Sequence, residues 1–102
     1  MHDYEVTFIL NPNLSDEEVT ANTERVATLI TTGGGEVADM HPWGGKRRLA
    51  YPIEHYRDGY YVTTKFRTNP AAAFGLDGQL KLNESIIRHL VFRMEDQTGP
   101  HK

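Results

Sequence analysis

The stretch Tyr60-Tyr61-Val62-Thr63-Thr64-Lys65-Phe66-Arg67, followed at once by Asn69-Pro70, settles the fold class. It is rich in aromatic and β-branched residues, as strands are. Asn69 then reads as an N-cap, with Pro70 at the first helical position, where its missing N–H costs nothing. A strand therefore runs straight into a helix. The stripe Ala73, Leu76 and Leu80 gives that helix its apolar face, although Gly75 and Gly78 weaken it by about 1 kcal/mol each relative to Ala. The same strand-to-helix order occurs earlier in the chain. Tyr4 to Leu10 places Val6, Phe8 and Leu10 on one strand face, and Asn11-Pro12-Asn13 ends it. Ser15 and Glu18 form a capping box, Leu14 can staple onto Val19, and Val19, Thr23, Val26, Leu29 and Ile30 recur at helical spacing until Gly33-Gly34-Gly35.

Between the two units, Glu36 to Met40 and Lys46 to Ile53 read as one long strand, interrupted at His41-Pro42-Trp43-Gly44-Gly45 and suited to a sheet edge. A polar turn is expected at His55 to Gly59, and a last strand at Ile86 to Met94. The order is β-α-β-β-α-β. Right-handed crossovers then make an α+β, ferredoxin-like domain, a four-stranded antiparallel sheet with two helices on one face. The second and fourth strands lie at the edges, and the other sheet face is open. This domain is expected over residues 1–95, with a flexible tail at 96–102.

With 102 residues there is room for one core and one function. No cysteine is present, so disulfides and thiolate metal sites are out of reach. The N-terminus lacks a basic region followed by an apolar run, and no 18 apolar residues stand together, so a cytoplasmic location is expected. The net charge of −3 hides an asymmetry. Residues 1 to 40 hold one base, Arg25, against eight acids, whereas residues 41 to 102 hold ten bases against six acids. A basic face with an acidic back steers toward phosphate.

If Val62, Thr64 and Phe66 face the helices, then Tyr61, Thr63, Lys65 and Arg67 face the open side, joined from the last strand by Arg88, Leu90 and Phe92. Cations for phosphates and rings for unpaired bases suit RNA. The same rings also suit a second apolar cluster, and the cations of Lys46-Arg47-Arg48 also suit a solvated edge that deters aggregation. Composition alone leaves both alternatives open.

The run Gly45-Lys46-Arg47-Arg48-Leu49-Ala50-Tyr51-Pro52-Ile53 closely resembles the signature of the bacterial small-subunit ribosomal protein six family. Tyr4-Glu5-Val6 with Asn11-Pro12-Asn13, and Leu80-Lys81-Leu82-Asn83-Glu84 followed by Ile87-Arg88, agree with it, so the resemblance covers residues 1 to about 94. It implies a ribosomal component without enzymatic activity or cofactor, bound to the central domain of small-subunit rRNA together with ribosomal protein eighteen. It also implies RNA contacts at His2, Tyr4, Lys46, Arg47, Arg48 and Arg88. Lys65 and Arg67 join these from the open face, and Trp43, Tyr51 and Tyr61 are expected to anchor the partner protein. Three positions depart from the family pattern. His2 stands where an arginine is common, which implies a contact that is weaker or pH-dependent. Gly44-Gly45 is one residue longer than the usual junction after Trp, and Gly75 and Gly78 replace ordinary helix formers.

Other functions fit less well. A messenger-type RNA-recognition motif shares the topology, but Gly59-Tyr60-Tyr61-Val62 lacks the small residue its signature needs between aromatics. An acylphosphatase-like hydrolase would need a phosphate-cradling loop and an activating group. Gly33-Gly34-Gly35 follows a helix instead of preceding one, and the five histidines show no ligand spacing.

Overall fold

The computed structural model describes residues 1–94, so the expected tail at 96–102 lies outside the described residues. The elements are β1 (His2–Leu10), α1 (Asp16–Thr32), β2 (Glu36–Pro42), β3 (Arg47–Ile53), β4 (Tyr56–Thr68), α2 (Pro70–Lys81) and β5 (Ile86–Arg93). The sheet is antiparallel in the order β2-β4-β1-β5, with β3 paired to the start of β4. This is the expected ferredoxin-like arrangement, with one change. The long second strand is two strands, β2 and β3, both paired with a 13-residue β4.

Local chemistry sets the helix ends. Ser15 accepts from the Glu18 N–H, and Glu18 Oε1 accepts from the Ser15 N–H at 2.8 Å, which closes the capping box. Leu14 and Val19 both pack on the core beneath it. The Asn69 side chain accepts from the Ala72 N–H at 2.8 Å and caps α2.

Alternation carries the packing. On β1, Tyr4, Val6, Phe8 and Leu10 face the helices, and on β4 so do Val62, Thr64 and Phe66. Val26 and Ile30 of α1 and Ala73, Leu76 and Leu80 of α2 close over them, while Leu29 is half-buried at the margin. Asn22, within the α1 stripe, is buried because it is bonded. Its amide donates to the Glu18 carbonyl at 2.8 Å, and its oxygen accepts from Asn83 at 3.1 Å, tying α1 to the loop before β5.

No atom would meet a Cβ added at Gly75 or Gly78 within 4 Å. Replacing either by Ala is expected to raise stability by about 0.5–1 kcal/mol. For the double variant this corresponds to a melting temperature higher by roughly 4 °C or more. An unchanged melt would mean that the glycines serve α2 in some way its open surroundings do not show.

Candidate nucleic-acid interface

The turn from β2 into β3 brings chemistry-bearing residues together. Trp43 extends the pairing of β2, its N–H donating to the Tyr61 carbonyl at 2.9 Å. Gly44 (φ +82°) and Gly45 (φ +61°) then reverse the chain through two consecutive left-handed conformations, which glycine adopts at little cost. Lys46, Arg47 and Arg48 follow, all exposed.

β3 does not continue flat along the edge. Arg47 and Arg48 pair with Gly59 and Asp58, the register then shifts, and Ile53 pairs with Tyr56 across the two-residue turn Glu54-His55. The expected turn at His55 to Gly59 is therefore displaced, and 56–59 are strand. Glu54 supplies the reversal with φ 59°, a conformation uncommon outside glycine.

Leu49 is buried against the open side of the sheet. It reaches Gly59, where an added Cβ would overlap Ile9 Cγ2 and lie 3.1 Å from the Leu10 carbonyl oxygen. Gly59 is thus required for close approach, not for a turn. We expect Gly59→Ala to cost about 1–3 kcal/mol through overpacking. It should also displace β3, which denaturation and RNA titration would register together. Wild-type values in both would separate the curl of β3 from this contact.

Curling brings β3 across to β5. The Arg88 guanidinium lies 5.9 Å from the Tyr51 ring centre, and a shallow hollow of about 200 Å³ opens between the strands, lined by Thr7, Ile9, Tyr61 and Leu90 among others. Tyr51 and Leu90 are 58% and 62% exposed, so this margin is apolar and unfilled. At the other margin, Trp43 stacks on Tyr61 with ring centres 4.8 Å apart. Its Nε1–H donates to Thr63 Oγ1 at 2.9 Å, and the Thr63 hydroxyl lies 3.3 Å from that of Thr7. Arg47 donates to the Trp43 carbonyl at 2.7 Å, with its guanidinium 5.6 Å from the indole centre.

The remaining predicted residues are placed otherwise. Tyr4 is 7% exposed and stacks on Phe66 at 5.6 Å, so its ring belongs to the core and offers no face to a base. Lys65 and Arg67 are on the open face, but not in a basic field. In the strand register Lys65 stands between Glu5 and Asp39, and Arg67 between Asp3 and Glu36, with an Arg67–Asp3 ion pair at 3.0 Å. The expected basic face is thus mixed in charge at this end; the other exposed cations include Lys46, Arg47 and Arg48, of which Arg48 has a single acid, Asp58, opposite it in the register, and Arg88 on β5. His2 is at the far end of β1, accepting from Arg93 at 2.8 Å.

Among the described residues, no three His, Asp or Glu side chains are grouped as a metal site. His89, 2.8 Å from Asp77, ties β5 to α2. Among the described residues, no helix is long and apolar enough to cross a membrane. What the sequence did not disclose was the curl of β3. Its signal was an apolar Leu49 that packs over a glycine ten residues later, a contact that exists only once β3 has folded onto the sheet.

Known proteins agree with this architecture. The family model "Ribosomal protein S6" matches residues 3–93. Small ribosomal subunit protein bS6 of Moorella thermoacetica is 42% identical over 99 residues, covering 97% of this chain and all of that protein. Its counterpart in Desulforudis audaxviator is 44% identical over 93 residues, covering 91% and 98%. The crystal structure of 30S ribosomal protein S6 from Thermotoga maritima superposes with a TM-score of 0.88 at 30% identity, covering 94% of this chain and 90% of that one. The chain therefore belongs to the ribosomal protein S6 family, as a non-enzymatic structural protein of the small ribosomal subunit, located in the ribosome within the cytoplasm.

Proposed function

We propose that this protein binds the central domain of small-subunit rRNA together with ribosomal protein eighteen, with the β2–β3 turn as its phosphate-contacting element. The observation that carries this reading is the curl of β3. It presents Lys46, Arg47 and Arg48 as three consecutive exposed cations, with Asp58 the one acid opposite Arg47 and Arg48 in the register, and brings Tyr51 of the same strand within 5.9 Å of the Arg88 guanidinium. Lysine and arginine in such a cluster position a protein on RNA through the backbone. Lys65 and Arg67 contribute less, because their neighbours on β1 and β2 are acids, and His2 contributes at the periphery.

The partner has its own ground. Tyr51 and Leu90 are exposed and, with Tyr61, line an apolar hollow next to the Arg88 cation. Exposed apolar area of this kind, rimmed by polar groups, suits a protein. The partner also answers an electrostatic need. The chain carries a net charge of −3, so its field opposes approach to a polyanion unless a basic chain shares the interface.

The test is selectivity. A mixture of the two proteins is expected to bind a central-domain rRNA fragment at least roughly tenfold tighter than a fragment of equal length from another domain, a difference of about 1.4 kcal/mol. Equal binding to both fragments would reduce the cluster to a non-specific patch.

A further inference from the structure

Tyr61, Trp43 and Arg47 form a column. Tyr61 supports one side of the indole at 4.8 Å, and the Arg47 guanidinium lies 5.6 Å from the indole centre. Two hydrogen bonds fix the layers, from the Trp43 ring to Thr63 and from Arg47 to the Trp43 carbonyl. A guanidinium carries five N–H donors in one plane, so the bond to the carbonyl anchors Arg47 and leaves most of its donors available. The column is rooted in the sheet, and its top layer is an exposed planar cation.

We infer that this column is a stacking platform for one unpaired RNA base, with Arg47 as the layer that meets it. Three observations favour a base over a protein side chain. The top layer is planar and charged, which suits a base π-face and its adjoining phosphate together. Lys46 and Arg48 flank it in sequence and serve the backbone on either side of a splayed nucleotide. The exposed apolar side chains suited to a protein, Tyr51 and Leu90, line a hollow that shares only Tyr61 with the column. The inference rests on the RNA-binding reading above and adds to it a role for the guanidinium plane that is separate from its charge.

Trp43 is the single tryptophan, so it reports on the column directly. The chain would be labelled with 5-fluorotryptophan, and its fluorine resonance followed as unlabelled ribosomal protein eighteen and then the central-domain rRNA fragment are added. The resonance is expected to shift on adding the RNA. Arg47→Lys, which keeps the charge and removes the plane, is expected to weaken binding roughly tenfold while leaving the salt dependence unchanged, within the range for one base stack.

Two results overturn the inference and leave RNA binding intact. One is tight binding with an unmoved resonance, or with equal affinity for Arg47→Lys and the wild type. The other is a resonance that shifts fully with ribosomal protein eighteen and no further with RNA, which would give the column to the partner. Absence of RNA binding by the wild-type pair would overturn the underlying reading as well.

Discussion

Replacing Lys46, Arg47 and Arg48 together by Ala is expected to weaken binding of the protein pair to central-domain rRNA roughly ten- to hundredfold at moderate salt. It should also lower the slope of log affinity against log salt by about 2 to 3, since each lost phosphate contact removes roughly 0.7 to 0.9. The expectation follows from placement. These three side chains are exposed on a strand that curls over the sheet, and they support none of the buried core. The variant should therefore keep its fold, and a matched denaturation midpoint would separate lost binding from lost structure. An unchanged salt slope would move the phosphate contacts elsewhere on the molecule.

The largest effect on stability is expected from Phe66→Ala, at about 3–5 kcal/mol. Phe66 is 1% exposed, lies on the long β4 strand that pairs with three others, and stacks on Tyr4 at 5.6 Å. Its removal opens a cavity between the sheet and both helices and takes away an aromatic pair worth about 0.5–1.5 kcal/mol beyond burial. A domain of this size has about 5–15 kcal/mol in all, so the variant would be only marginally folded. Urea denaturation showing a loss below about 1 kcal/mol would contradict the packing described for β4.

Much of this architecture was legible because its signals are local. The capping box at Ser15 and Glu18, the Asn69-Pro70 helix start and the alternation of Val62, Thr64 and Phe66 each act within a few residues, and each is where the sequence placed it. The site was less legible because its geometry depends on distant pairings. Asp58-Gly59 carries the composition of a turn, yet Gly59 is a strand residue whose missing side chain admits Ile9 and Leu49. The actual reversal falls on Glu54-His55, whose residue types announce no turn.

Lys65 and Arg67 looked like part of a basic face because strand alternation names the face but not its neighbours. The register then set acids of β1 and β2 beside both. Tyr4 illustrates the opposite case. Its parity with Val6, Phe8 and Leu10 already placed it in the core, and the family resemblance alone suggested a contact with RNA.

The most direct test of the account is a titration of central-domain rRNA with this protein, with ribosomal protein eighteen, and with their mixture at one fixed salt concentration. The mixture is expected to bind at least roughly tenfold tighter than either protein alone, a coupling of about 1.4 kcal/mol or more. Equal affinity for the single chain and the mixture would contradict it.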